Sequence, residues 1–214
     1  MEQTDIWSIN PSTSATFFRT ATTVTGGVFP RALILNNTNP VVAKEGAGYK
    51  IIIDSSLDDS GITFTINGAI VGDLTNQVPG PAPTAVPEVL TGGSSTSVTS
   101  TYYYSSIDSI TISGAAAGTV AVGTTGDLAL PRCRIKGFYV LCAAGAGSLK
   151  VNRWSWATGA AVDKGTILDI TTPGGATLTQ FLSLPGQGIL TGQQINDYSV
   201  VVLTTSTDYT LFCG

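Results

Sequence analysis

The stretch SITISGAAAGTVAVG, residues 109–123, decides the fold class of this chain. Apolar residues alternate with small or polar ones on both sides of its centre, at Ile110 and Ile112 and again at Val120 and Val122. A repeat of two is the period of a β-strand. A phosphate-binding loop would need a lysine after its last glycine, and this one has none. The stretch therefore predicts two strands joined by a wide hairpin turn, whose small residues let another backbone come close.

The composition is that of a globular chain with few charges. Of its 214 residues, 43% are hydrophobic, 25 are glycine and only 11% are charged, whereas about a quarter charged is usual. Such a surface is typical of rigid β proteins that work in assemblies. The length suits one large domain or two small ones, and either can bury a core.

The net charge of −4 is unevenly distributed along the chain. Residues 1–130 hold four basic and ten acidic side chains, a balance of −6, whereas residues 131–214 hold six basic and four acidic ones, a balance of +2. The two halves are therefore expected to face different neighbours.

Neither a membrane span nor a secretion signal is predicted. No run of about 18 apolar residues occurs, and the opening MEQTDIWSINPSTS lacks the basic flank and apolar middle of a signal peptide. We therefore expect folding in a reducing cytoplasm. The three cysteines, Cys133, Cys142 and Cys213, fit buried free thiols. A Cys133–Cys142 or Cys142–Cys213 bridge is the alternative.

Short apolar and β-branched segments separated by turn residues follow one another along the chain, and no helical repeat persists for three turns. The predicted fold class is all-β: an extended N-terminal arm, residues 1–30, and two consecutive antiparallel β-sandwich domains of jelly-roll-like form, residues 31–127 and 128–214. The boundary is placed where the charge balance changes sign. The strand candidates are SATFFRT in the arm, ALILNN (32–37), GYKIIID (48–54), the region 97–113, RCRIKGFYVL (132–141), SLKVNRW (148–154), TILDITT (166–172), LTQFLSL (178–184), YSVVVLTT (198–205) and DYTLFC (208–213).

The dipeptide Asn67-Gly68 is the strongest local hairpin signal, because both central residues of a type I′ turn need positive φ. We therefore predict that residues 62–66 and 69–72 pair. The segment QVPGPAPTAVPE, residues 77–88, holds four prolines, which neither a helix nor a strand tolerates. It is predicted to be an extended connection.

The residue types offer little catalytic chemistry. The absence of histidine removes the commonest general base and transition-metal ligand. The densest carboxylate group, Asp54, Asp58 and Asp59, is typical of a solvated turn. A calcium site is the alternative, although the D-x-D-x-D-G spacing is missing. We predict a non-enzymatic protein with no catalytic residue, no cofactor and no metal.

Three basic residues, Arg132, Arg134 and Lys136, alternate along one predicted strand, so they share a face while Cys133 and Ile135 point to the other. We predict that this basic face docks on an acidic partner surface, such as the first half of a neighbouring copy. A plain solvent face is the alternative. The net negative charge argues against a nucleic-acid platform of cations and aromatic rings.

Lys150 and Arg153, together with Trp154 and Trp156, are candidates to extend the basic face. The tryptophans and the tyrosine run 102–104 also raise a rival function, a carbohydrate- or receptor-binding module, because aromatic platforms bind sugar rings. Only alternate residues of a strand share a face, so at most two of the three tyrosines would lie together.

Two regions resemble virion structural proteins of tailed bacteriophages. The first combines DDSGITFTINGAIVGD with EVLTGGSSTSVTSTYYYSSIDSITISGAAAGTVAVGTTG, within residues 58–126. The second half, with IKGFYVLCAAGAGSLKV, LDITTPGGAT, LPGQGIL and the ending DYTLFCG, is similar to small phage structural domains. Together the two regions cover about three quarters of the chain.

The resemblance implies a coat or tail component without enzymatic activity. We expect a head decoration or cement protein that bridges and stabilises capsid subunits, acting as a homo-oligomer with a trimer favoured. Its partners would be the major capsid protein or other virion proteins, with no direct contact to nucleic acid or membrane. It would be made in the host bacterial cytoplasm and located in the virion. A tail or fibre-adaptor component is the alternative.

Overall fold

The computed structural model describes residues 5–9, 14–28, 48–71, 87–130, 134–142, 147–157, 160–172, 178–183, 188–190, 197–204 and 206–213. These residues form β-strands and their connections, so the prediction of an all-β fold is confirmed. No helix in these ranges is long and apolar enough to cross a membrane. The first eight strands are β1 (Asp5–Ile9), β2 (Ser14–Thr23), β3 (Gly27–Val28), β4 (Gly48–Ser55), β5 (Thr63–Ile70), β6 (Glu88–Thr91), β7 (Ser97–Ile112) and β8 (Thr119–Leu130). The others are β9 (Arg134–Cys142), β10 (Gly147–Ala157), β11 (Ala160–Thr172), β12 (Leu178–Ser183), β13 (Ile189–Leu190), β14 (Asp197–Thr204) and β15 (Ser206–Cys213).

A ten-stranded antiparallel sheet holds most of these strands, in the order β11-β10-β14-β8-β4-β7-β5-β6, with β2 added beside β8 and β3 beside β7. The long strand β7 belongs to two parts of this sheet. Its first half pairs with β4, from Asp54↔Ser97 to Tyr49↔Tyr104, and its second half pairs with β5, ending at Phe64↔Ile112. The sheet therefore folds over along β7, near Tyr104.

The two layers made by this fold enclose one hydrophobic core. Strands β4 and β8 contribute one side of it, and β5 and the second half of β7 contribute the other. Burying each large aliphatic or aromatic side chain stabilises the fold by about 1.5–3 kcal/mol. The fully or nearly fully buried members include Ile51, Ile53, Val120 and Val122 on the first side and Phe64, Ile66, Ile110 and Ile112 on the second.

The segment 113–118, at the centre of the opening stretch, connects the two layers. Strands β7 and β8 flank it as predicted, but they do not form a hairpin, because β4 lies between them and pairs with both. The prediction of two strands is confirmed, and that of a hairpin is wrong. Alternating apolar residues specify an inward face, and they carry no information about which strand becomes the neighbour.

The Asn67-Gly68 hairpin prediction is wrong. Both residues lie inside β5, which pairs with β6 on one edge and β7 on the other. The register with β7 is irregular at this point, since Asn67 faces Ser109 and Gly68 faces Ile107. The described glycines with positive φ are Gly26, Gly27, Gly165 and Gly188, and so do not include Gly68. Burial of the flanking apolar residues across the two layers outweighs the local turn preference.

The structure describes two of the strands predicted near the N-terminus. SATFFRT forms β2, beside β8, and GYKIIID forms β4, as predicted. The described parts of residues 1–30 also include β1, paired with β15, and β3, paired with β7. ALILNN (32–37) and nearly all of 77–88 lie outside the described residues. Strand β8 crosses the predicted boundary at 127/128, pairing with β4 and with β14.

A second sheet of five strands runs β1-β15-β9-β12, with β13 also beside β9. All six strands predicted in the second half are present as β9, β10, β11, β12, β14 and β15. Cys213 faces Ile135 in this sheet, whereas Cys142 faces Ser206. Seven residues of β9 separate those positions, about 23 Å, so the alternative Cys142–Cys213 bridge is wrong because its partners are out of reach. Cys133 lies outside the described residues.

Candidate functional site

The predicted basic face lies on β9, an interior strand with β15 on one edge and β12 and β13 on the other. Ile135 and Phe138 are fully buried, whereas Arg134 and Lys136 are half-buried. The register with β15 skips Lys136, which marks a bulge at this position. Arg134 precedes buried Ile135 in a regularly paired part of the strand and so takes the opposite face. The bulge interrupts the alternation at Lys136, so the shared basic face stays a prediction. Arg132 lies outside the described residues.

Gly188 lies beside β9, next to the basic residues Arg134 and Lys136. It has φ +74° and leads into β13, which pairs with Ile135 and Arg134. A Cβ at Gly188 would overlap the carbonyl group of Ile135 and approach Lys136. Only glycine meets both the conformation and the close approach without strain. The backbone at Gly188 therefore packs directly against the backbone of β9 at Ile135 and Lys136.

The three aspartates Asp54, Asp58 and Asp59 lie in different environments. Asp54 lies in β4, Asp58 is exposed, and Asp59 is buried. Among the residues that the structure describes, which include all three, no group of carboxylate, thiol or imidazole side chains could hold a metal ion. Hydrogen bonds from the hydroxyl and amide of Ser60 hold the pKa of the Asp58 carboxyl below its usual value.

Asp59 instead joins the connections at one end of the two layers. Its Oδ1 accepts a hydrogen bond from the Ala117 amide at 2.7 Å, and its own amide donates to the Gly93 carbonyl at 2.9 Å. The Ala116 amide donates to the Val24 carbonyl at 3.0 Å. The prediction that small residues in the opening stretch let another backbone come close is therefore confirmed. Asp59 is thus a structural contact between the connecting segments.

The tyrosine run does not form a sugar platform. Tyr104 is buried and Tyr102 contacts the core, so the two residues expected to share a face share the inward one. Tyr103 is half-buried on the other side, with the Lys50 ammonium 5.4 Å from its ring centroid. That distance suits a cation–π contact. The tyrosines therefore give no support to the carbohydrate rival.

A buried glutamate braces the two layers, and no sequence pattern indicated it. Glu88, in the edge strand β6, accepts hydrogen bonds from the Tyr104 hydroxyl at 3.0 Å and from the Thr101 amide. Burial first, and then the nearby Glu88 charge, raise the pKa of the Tyr104 hydroxyl well above its usual value. Glu88 thus connects β6 in one layer to the first half of β7 in the other.

The residues proposed to extend the basic face lie elsewhere. Lys150, Arg153, Trp154 and Trp156 belong to β10 in the ten-stranded sheet, whereas the basic face lies on β9 in the five-stranded one. Lys150 and Arg153 also occupy opposite faces of β10, because three residues separate them in a strand that pairs regularly with β14. The prediction that these residues extend the basic face is therefore wrong, since β9 and β10 belong to different sheets.

The described residues thus offer a basic strand face, a clamp of loops at one end, and a glutamate–tyrosine brace. Comparison with protein families, with curated proteins and with solved structures finds no match to this chain.

Proposed function

We propose that this chain is a non-enzymatic structural protein of a tailed-bacteriophage virion, a head decoration or cement protein that bridges and stabilises capsid subunits. It acts as a homo-oligomer, with a trimer favoured, and its partners are the major capsid protein or other virion proteins. The alternative within this class is a tail or fibre-adaptor component. The sequence resemblance in residues 58–126 and in the second half motivates the class.

The proposal also includes the arrangement of the second sheet and of the N-terminal arm. The five-stranded sheet packs against β10 and β14 to form a second sandwich of jelly-roll-like form, with residues 1–30 as an extended arm that adds strands to the body. Support comes from buried apolar residues on both sides of the proposed contact, Ile135 and Phe138 on β9 and Leu149 and Val151 on β10. Interdigitating inner faces of this kind form a sandwich core.

The observation that supports the proposal is the position of Arg134 and Lys136, both half-buried, on either side of fully buried Ile135 in an interior strand. A rigid basic surface suits docking on an acidic one, because complementary charges steer association and fix register. The first 130 residues carry the acidic excess. A neighbouring copy or the capsid surface therefore offers the counterpart.

The test uses particles that lack this protein and measures rebinding of the purified chain. Replacing Arg134 and Lys136 with glutamate should lower occupancy at low salt, and salt itself should weaken wild-type binding as the Debye length falls from about 10 Å at 0.1 M to about 3 Å at 1 M. Because Arg134 and Lys136 are half-buried, the melting temperature of the variant is measured alongside, and occupancy is compared at a temperature where the variant is folded.

A matched control is the double variant Lys150→Glu with Lys164→Glu, which makes the same change in net charge on β10 and β11. This control should bind particles as the wild type does. Equal loss in both double variants would mean that net charge, and not the β9 face, governs docking. Unchanged binding of the Arg134→Glu, Lys136→Glu variant at low and high salt would overturn the docking face.

A further inference from the structure

The sequence holds one Asn-Gly pair, Asn67-Gly68, and the fold places it inside strand β5 instead of in a turn. Asparagine is among the thermally labile residues of proteins. It is most reactive before glycine, because glycine has no side chain to shield its backbone nitrogen. The reaction open to this pair is the closure of a five-membered ring between the Asn67 side chain and the Gly68 nitrogen.

Strand pairing restrains both reacting groups. Asn67 Nδ2 donates a hydrogen bond to Ser109 Oγ of β7 at 3.1 Å. Gly68 is buried and faces Ile107 of the same strand. Ring closure brings the Asn67 side-chain carbon to the Gly68 nitrogen, which turns the peptide between them out of its extended geometry. The pairing of β5 with β7 therefore opposes the reaction.

The ladder of β5 is interrupted at this pair. The register with β7 skips Asp108, which forms a bulge opposite Asn67 and Gly68, and it is irregular again two residues later. On the other edge, β6 pairs with β5 only as far as Ile66 among the residues that the structure describes. Local opening of a segment with such pairing needs less free energy than global unfolding. Residues 67–70 are therefore a place where β5 can separate from β7.

We propose that Asn67 is a deamidation site that the fold keeps closed, and that its reaction makes the opening of β5 from β7 irreversible. In the opened segment, the Gly68 nitrogen gives its proton to solvent and attacks the Asn67 side-chain carbon Cγ. The new C–N bond closes a succinimide ring, and the side-chain nitrogen leaves as ammonia with a proton from water. Water then opens the ring at either carbonyl carbon, which gives aspartate or isoaspartate. The reaction needs water alone, and the proposal does not depend on the virion role.

Both products disfavour the paired state of β5. In isoaspartate the backbone runs through the former side chain, which adds one carbon atom to the chain before Gly68. The strand then loses its register with β7 beyond this point, and buried Ile70 loses its place in the core. The aspartate product places a negative charge opposite Ser109, the chain neighbour of exposed Asp108, and like charges repel each other. A molecule that has reacted therefore stays open.

The first experiment compares the full chain in native buffer and in concentrated urea, at the same temperature and the same mildly alkaline pH. Peptide mass mapping follows the replacement of the Asn67 amide by an acid, and enzymatic methylation identifies isoaspartate. We expect the reaction in urea to be at least about tenfold faster than in the native protein. Asn152, which Arg153 follows, is the internal control and should stay intact in urea over the same time, because a side chain shields the next nitrogen. Equal rates in the two conditions, or no reaction of Asn67 in urea, would overturn the proposal.

A variant of the neighbouring strand tests the restraint by β7. Ser109→Ala removes the acceptor of the Asn67 amide and should speed deamidation of the native protein about two- to tenfold, while the rate in urea stays unchanged. The control Thr99→Ala, at an exposed position in the half of β7 that pairs with β4, should react as the wild type does. A folded Ser109→Ala variant that reacts at the wild-type rate would contradict the restraint by β7. The comparison of native and unfolded wild type needs no variant and holds even if Ser109→Ala does not fold.

Irreversible opening is tested on native protein after long incubation. A short protease treatment digests opened molecules and leaves closed ones intact. We expect modified Asn67 in the digested fraction and unmodified Asn67 in the intact chains. Asn67→Gln, which cannot form the five-membered ring, should show no growth of the digested fraction with time. Modified Asn67 at an equal share in the intact chains would overturn the irreversible step.

Discussion

Removing the Glu88 carboxylate should destabilise the protein by about 3 kcal/mol. The side chain is only 7% exposed and accepts two hydrogen bonds, one from the buried Tyr104 hydroxyl and one from the Thr101 amide. A hydrogen bond to a charged group contributes about 1.5–3 kcal/mol, and a buried hydroxyl left without a partner costs about 1–3 kcal/mol. The two terms sum to about 2.5–6 kcal/mol. Because Thr101 is exposed and its amide can bond to water, we place Glu88→Ala near the lower end, at about 3 kcal/mol.

Urea unfolding of the full chain measures this loss. In a chain of this length, about 3 kcal/mol corresponds to a fall of about 6–12 °C in melting temperature. Glu88→Gln, which keeps the shape and one acceptor oxygen, should lose less than half as much.

A double-mutant cycle with Tyr104→Phe separates the hydrogen bond from the lost packing of Glu88. The coupling energy should be about 1–2 kcal/mol, because Tyr104→Phe costs little once the carboxylate is gone. A Glu88→Ala variant within about 0.5 kcal/mol of the wild type, a change typical of an ordinary surface position, would refute the brace between the two layers.

Two further predictions concern backbone conformation and pH. Gly188→Ala should lower the free energy of unfolding by at least about 2 kcal/mol more than Gly165→Ala. Both glycines have positive φ, but only at Gly188 would the added Cβ overlap a carbonyl. Equal losses in the two variants would refute the close approach of Gly188 to β9. Burial raises the pKa of the Tyr49 and Tyr104 hydroxyls, so the unfolded chain loses these protons at lower pH than the folded one. The free energy of unfolding should therefore stay level to about pH 9 and fall above about pH 10. The expected slope is up to about 1.4 kcal/mol per pH unit for each tyrosine. Tyr104→Phe should reduce that slope, and an unchanged alkaline slope would contradict the role of burial.

The strands were predictable because alternation is a local property of the sequence. Residues 48–54 and 97–113 and the six segments of the second half alternate or are rich in β-branched residues, and each forms a strand. The same alternation placed Arg134 on the face opposite buried Ile135, whereas the bulge at Lys136 was not visible in the sequence. A period of two says which side a residue takes, whatever the partner strand is.

The pairing of strands was not predictable, because it depends on contacts between distant parts of the chain. Asn67-Gly68 is a strong turn signal in isolation, yet the core formed around Phe64 and Ile66 holds it inside β5. Glu88 follows a run of prolines and has no pattern of its own, since its partner Tyr104 is 16 residues away in another layer.

The most direct test of the virion assignment is to locate the chain on purified particles. Phage particles would be labelled with a gold-conjugated antibody against this chain and imaged by electron microscopy, with particles lacking the protein as control. The proposal predicts dense label over the heads, in many copies per particle. Label confined to the tail would contradict the cement assignment in favour of the adaptor alternative, and particles without label would contradict the virion role altogether.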